Sequence, residues 1–226
     1  MDITQTHNSH WTEELERIGF WFVDIPRTSS SSIRAELGKE FGALHGKSNL
    51  LEKEFSTSQV VKDHMPAKMM LEAIGRDLWQ KLFTFSFVRN PWDRVLSMYF
   101  YRIRKKHFTE DFKFKDYVLE LERHLTRHRS DLFLYHGHYF SNSDYILDQD
   151  NKPLVTFIGK YENREHDIEN IKKEIGVKTI GELWIQASSP ESRHYSRYYD
   201  DDTKNIVNKL YSNDIQMFGY QFDEDG

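Results

Sequence analysis

The chain has 226 residues and a formal net charge of -5, with 38% hydrophobic, 30% charged and 15% aromatic residues. It is long enough for one well-packed domain, and no apolar run approaches the roughly 20 residues of a membrane span. It has no cysteine, which excludes disulfides, thiolate catalysis and Cys-ligated zinc. The acidic balance argues against a nucleic-acid partner held by phosphate neutralisation. Met1–Trp11 carries no apolar signal region, and there is no Asn-x-Ser/Thr acceptor. Both favour the cytoplasm, with an excised secretory-pathway domain still compatible.

The expected layout is a polar N-terminal extension over residues 1–17, a single folded body over 18–222, and an acidic tail over 223–226. In chain order, Gly19–Ile25 (GFWFVDI) reads as a buried strand and Ser30–Phe41 as a helix. Pro66–Leu78 reads as a helix whose Met69, Met70, Ala73 and Ile74 form a core face. Leu82–Val88 (LFTFSFV) is a second buried strand. Pro91–Lys105 is a helix with Asn90 as N-cap, proline at its first position and Asp93 in its first turn. Leu154–Ile158 reads as a third strand ending at Gly159, and Asp167–Ile175 and Thr203–Phe218 as amphipathic helices. The five tryptophans, Trp11, Trp21, Trp79, Trp92 and Trp184, read as core. Strands alternating with helices predict an α/β fold with a mainly parallel sheet, whose ligands sit beyond the carboxyl ends of the strands.

Two strand-to-helix junctions carry the chemistry. The first runs Ile25-Pro26-Arg27-Thr28-Ser29-Ser30-Ser31-Ser32. Small hydroxyl residues open a helix there, with Arg27 beside them, which is the layout of a phosphate-binding loop. It is not a Walker A loop, and a serine-rich capping turn is the ordinary alternative. The second runs Phe87-Val-Arg-Asn-Pro-Trp-Asp-Arg-Val-Leu-Ser97. Arg89 stands at the strand's end and Ser97 two turns into the helix, where together they would grip a second phosphate. A salt bridge for Arg89 and a back-bonded Ser97 are the ordinary alternatives.

Taken together, the junctions resemble the sulfotransferases that use 3'-phosphoadenosine 5'-phosphosulfate, in the branch of bacterial and carbohydrate enzymes. The first is similar to that family's Ile-Pro-Lys-Thr-Gly-Gly-Thr-Ser, which holds the 5'-phosphosulfate. The second is similar to Phe-Val-Arg-Asn-Pro-x-x-Arg-x-x-Ser, which holds the 3'-phosphate. The resemblance extends from about residue 19 to 222, including Phe157-Ile-Gly-Lys-Tyr-Glu-Asn163 with Asp167, and His194–Tyr199 near the end. It implies an α/β single domain with a P-loop-like central parallel β-sheet flanked by helices. It also implies that Arg27, Thr28, Ser29, Ser30, Ser31, Ser32, Arg89, Ser97 and Arg193 bind the donor, whose product is 3'-phosphoadenosine 5'-phosphate. The sequence departs from the family at Arg27 (lysine), Ser29 and Ser30 (glycines), Asp24 (often histidine) and Asn142 (commonly glutamine).

Sulfuryl transfer to a hydroxyl needs charge stabilisation on the leaving group, expected from Arg27, and a base. By the same resemblance His64, in the stretch between the junctions, is the expected base; a surface histidine bonded to Asp63 is the bland alternative. Lys62 and Lys68 flank it and would meet an anionic acceptor, or are simply solvated. The pair His124/His128 and the run His136-Gly-His138 have no evident third ligand, so no metal is expected. The basic stretch Arg102–His107 reads as a solvated helix end, or as a contact for the 3'-phosphate or an acidic glycan. The expected partner is a small-molecule or glycan acceptor; its identity and the oligomeric state are not encoded. Two other readings stay open: a P-loop-type kinase and a catalytically inactive nucleotide-binding scaffold.

Overall fold

The computed structural model describes residues 12–41, 64–127, 140–177 and 194–224. Residues 12–18 are helical (α1). Then follow β1 (Phe20–Val23), α2 (Ser30–Phe41), α3 (Ala67–Ile74), α4 (Arg76–Lys81), β2 (Phe83–Val88), α5 (Pro91–Arg104), α6 (Phe114–Arg127), α7 (Asn142–Ile146), β3 (Phe157–Lys160), α8 (Arg164–Ile175), α9 (Asp201–Leu210) and α10 (Ser212–Phe218). Short 3-10 turns span Tyr161–Asn163 and Tyr195–Tyr198. The strands form a parallel sheet in the order β1-β2-β3, with Phe20 opposite Phe83 and Phe85 opposite Phe157. This is the α/β class expected.

Side chains alternate across the sheet, as the strand period of two requires. Phe20, Phe22, Phe85 and Phe87 face one side and pack with Ile33 and Leu37 of α2 and Ile168 and Ile171 of α8. Trp21, Val23 and Val88 face the other, against Met70, Trp79 and Tyr145. The Phe22 and Phe85 rings stack at 5.0 Å. A further cluster joins α5, α6 and α9 through Val95, Tyr99, Tyr117, Leu121 and Val207. Among the described residues, no helix is long and apolar enough to cross a membrane.

Several elements differ from expectation. The polar extension expected over 1–17 contains most of α1, whose Leu15 is fully buried in the core. The helix expected over Pro66–Leu78 is two, because Gly75 adopts φ 84 and its N–H closes α3 on Leu71 O. Likewise Thr203–Phe218 is divided at Tyr211, which leaves helical geometry at φ -115 and ψ 27. The third strand starts later than Leu154. Leu154 N donates to Ile146 O instead, and pairing with β2 begins with Thr156 N on Thr84 O. Helix α6 is an additional element beyond those expected from the sequence.

Gly159 therefore lies inside β3. A Cβ there would fall 2.6 Å from Cε1 of the Phe87 ring. That ring is buried in the sheet's aromatic face, so it has little room to yield. Gly159→Ala is expected to lower stability by about 1–3 kcal/mol through overpacking, read as a lower urea midpoint. An unchanged midpoint would show that the Phe87 ring swings aside.

Candidate active site at the strand carboxyl ends

Adjacent parallel strands lie about 4.8 Å apart. The carboxyl ends of β1, β2 and β3 therefore bring three chain segments together: the loop after Val23, Arg89, and Tyr161. Residues some 60 to 70 positions apart meet there as a result.

The loop is held by its carbonyl oxygens. Thr28 Oγ1 donates to Ile25 O at 2.8 Å. From α5, Arg94 Nε donates to Pro26 O at 3.0 Å. From the end of β2, Arg89 Nη1 donates to Arg27 O at 2.9 Å. Ser29 O accepts Ser32 N and Ile33 N, which starts α2. Arg27 and Ser29 take positive φ values of 70 and 71. Left-handed backbone costs a non-glycine residue of order 1–2 kcal/mol, so these anchors hold a strained turn. The positive φ of Ser29 is a conformation that glycine adopts far more readily than serine.

Arg27 does not fold back on its own loop. Its Nε donates to Ser97 Oγ at 3.0 Å, and its guanidinium lies 5.0 Å from the centre of the Tyr101 ring. Burial, then the neighbouring guanidiniums of Arg89 and Arg104, bring its pKa down to about 10. It stays charged at neutral pH, in like-charged company that a bound anion would relieve. Arg89 is fixed more completely. Its Nε pairs with Asp93 Oδ2 at 2.8 Å and its guanidinium lies 4.0 Å over the Tyr161 ring. Burial alone would lower the Arg89 pKa; Asp93 outweighs that and raises it. The ordinary ion-pair role for Arg89 is thus present alongside its position at the loop.

Asn90 caps α5 by accepting Trp92 N, as the sequence predicts. Its backbone N–H donates to Glu162 Oε1 at 2.6 Å, and Glu162 Oε2 accepts the Tyr220 hydroxyl. Asn90 Nδ2 donates to Gln221 O. The Gly-Lys-Tyr-Glu-Asn segment and the C-terminal end are therefore sewn to the second junction. Asn142 is fully buried, and its Nδ2 donates to Arg89 O. Asp214 accepts the Asn142 and Ser143 N–H groups, which places that amide.

On the other side of the loop, the Asp24 carboxylate is 3% exposed and faces the Arg34 guanidinium and the His64 ring. Oδ2 accepts Arg34 Nη1 at 2.8 Å and Oδ1 lies 3.1 Å from His64 Nδ1. Burial pushes the Asp24 carboxyl up, but His64, Arg34 and a bond from Ser30 outweigh it and hold the group well below the usual carboxylate range.

The structure thus brings Arg27, Thr28, Ser29, Ser30, Ser31, Ser32, Arg89 and Ser97 to one region, with His64 on Asp24 at the end of β1. Lys68 pairs loosely with Glu72 on exposed helix surface. Arg193, Lys62, His128, His136, His138, Trp11 and Trp184 lie outside the described residues. Among the described residues no group of three or more His, Asp or Glu is arranged to hold a metal ion. Sequence reasoning missed the brace from Arg94, although it stands inside the second motif, and the aromatic supports Tyr101 and Tyr161.

A family model described as the sulfotransferase family matches residues 15–221. An uncharacterized protein from Archaeoglobus fulgidus is 33% identical over 130 residues, 57% of this chain and 96% of that protein. A crystal structure of a sulfotransferase from Alicyclobacillus acidocaldarius superposes with a TM-score of 0.40 and 15% identity, covering 91% of this chain and 88% of that one.

The two loop serines should respond to glycine in opposite ways. Ser29→Gly relieves a left-handed backbone and is expected to raise stability by about 1 kcal/mol. Ser30 is buried, helical and bonded to Asp24, so Ser30→Gly is expected to lower it by about 1–2 kcal/mol. Chemical unfolding of both variants reads the contrast; the same sign for both would contradict it.

Proposed function

The chain belongs to the sulfotransferase family, and on that premise we propose that it moves a sulfuryl group from 3'-phosphoadenosine 5'-phosphosulfate to a hydroxyl, on a carbohydrate by the likeness of its motifs. The observation that carries this reading is the meeting of the two junctions. Arg27 reaches Ser97, and Arg89 reaches the backbone of Arg27. One loop and one helix thus form a single cationic region at the strand ends. A half-buried guanidinium in like-charged company there fits a donor with phosphates at both ends.

When bound, the donor supplies an activated sulfuryl group with a phosphate as its leaving group. The chain's own residues do the rest. The Thr28–Ser32 segment and the N-terminus of α2 face the 5' end, with backbone N–H groups and hydroxyls as donors. Arg89 and Ser97 hold the 3'-phosphate from the second junction. Arg27, between the two, offsets charge on the departing phosphate oxygen. His64 takes the acceptor's hydroxyl proton as the new S–O bond forms and the old one breaks. Catalysis on this scheme is positioning and electrostatics, as in phosphoryl transfer.

Thermal shift compares 3'-phosphoadenosine 5'-phosphate with ATP and magnesium, and label from sulfur-35 donor is followed onto sugar and phenolic acceptors. The 3'-phosphorylated nucleotide is expected to stabilise the chain, and label to appear on sugars. Arg89→Ala is expected to weaken binding of that nucleotide about 10- to 100-fold, the worth of a charged hydrogen bond. His64→Gln is expected to keep the binding and lower turnover about 10²- to 10⁴-fold. Stabilisation by ATP with magnesium alone would favour a kinase. Binding without transfer to any acceptor would favour an inactive scaffold.

A further inference from the structure

The Asp24 carboxylate is an expensive object to bury. A lone ionised carboxyl at this depth would be strongly disfavoured, so the chain supplies Arg34 from the second turn of α2. One Arg–Asp pair would be enough to weld the end of β1 to that helix. The carboxylate nevertheless keeps its second oxygen, which no well-aligned hydrogen bond reaches among the described residues, 3.1 Å from His64 Nδ1. His64 is followed directly by Met65, which is buried in the core. The ring's neighbouring backbone is therefore anchored, while its side chain keeps 15% exposure. Among the described residues, the charged and polar groups that face this carboxylate are His64 from the segment ahead of α3, and Arg34 and Ser30 from α2.

We propose that Asp24, anchored by Arg34, is a positioning residue that holds His64 with its proton on Nδ1 and leaves Nε2 as the nitrogen that accepts a proton. The reasoning is chemical. An ionised carboxylate accepts hydrogen bonds and donates none. A neutral imidazole facing it through Nδ1 must carry its single hydrogen there, and the lone pair then sits on Nε2. When Nε2 gains a proton, the imidazolium that forms is already beside its counter-ion. Arg34 limits the effect. By sharing the carboxylate, it stops Asp24 from drawing a proton onto His64 before any acceptor arrives. The inference rests on the reading of His64 as base, and goes beyond it by assigning the nitrogen and the two residues that set it.

The signs of the two charges are opposite, so the test has two directions. The 226-residue chain labelled with nitrogen-15 histidine is titrated by NMR, and the His64 signals are identified by their loss in His64→Gln. The neutral ring is expected in the Nδ1–H form. Asp24→Asn is expected to lower the His64 midpoint by about one pH unit or more, since it removes an opposite charge at contact. Arg34→Met is expected to raise it, because the carboxylate then acts on His64 alone. A purely structural ion pair would move the melting temperature in both variants without this opposed pair of shifts. An Nε2–H ring in the wild type, or a midpoint indifferent to Asp24→Asn, overturns the proposal. The wild-type spectrum decides even if a variant fails to fold. Turnover of His64→Gln tests the base separately. Undiminished turnover there, with an Nδ1–H ring in the wild type, removes His64 from the mechanism and leaves Asp24's hold on it standing.

Discussion

The site depends on two guanidinium-to-carbonyl bonds, Arg94 to Pro26 O and Arg89 to Arg27 O. Consecutive peptides of one loop are thereby tied to the end of β2 and the start of α5. The loop needs that tie, since two of its residues hold left-handed backbone without being glycine. The arginines in turn are placed by packing. Trp92, Val95 and Leu96 bury the same helix in the core. Arg94 is 4% exposed, and its Nη1 also donates to Phe140 O. Core packing of α5 thus becomes geometry in a loop more than 60 residues earlier.

Charge is divided across the loop in an orderly way. Asp93 takes Arg89 and Asp24 takes Arg34, so these two cations have anions of their own. Arg27 has no carboxylate partner among the described residues; it has a hydroxyl and an aromatic ring instead. A cation left without an acid, in a place that already lowers its pKa, is the part of the site with most to gain from an incoming anion. Arginine in place of lysine matters for this. Its longer planar head spans from the first junction to Ser97 while keeping donors to spare.

Much of this was legible in the sequence, for identifiable reasons. The strand ends and helix α2 could be placed because Phe- and Val-rich runs stop at Pro26 and at Asn90-Pro91, where backbone chemistry permits little else. Both junctions could be found because their residue types are local in sequence. What escaped was non-local or conformational. Gly75 and Tyr211 break helices that are periodic on paper. Helix α6 has Phe114, Tyr117, Val118 and Leu121 at helical spacing, a local periodicity that does mark it in the sequence. The pairing of Asp24 with Arg34 and His64 joins positions 10 and 40 residues apart, and no spacing rule announces it. The brace from Arg94 needed the sheet's register before it could be seen.

The sheet's register has a consequence for how the molecule acquires its activity. Arg27 and Ser97 are separated by 70 positions, Arg89 and Arg27 by 62, and Asn90 and Gln221 by 131. No short fragment contains the whole constellation. Loop closure over such spans is entropically costly and is repaid only when the parallel strands have paired and the C-terminal end has docked. During synthesis the strand ends exist long before Gln221 does. The constellation at the strand ends is therefore among the last things this chain completes, and any affinity it has for a ligand would report on global folding rather than on any one of the motifs that compose it.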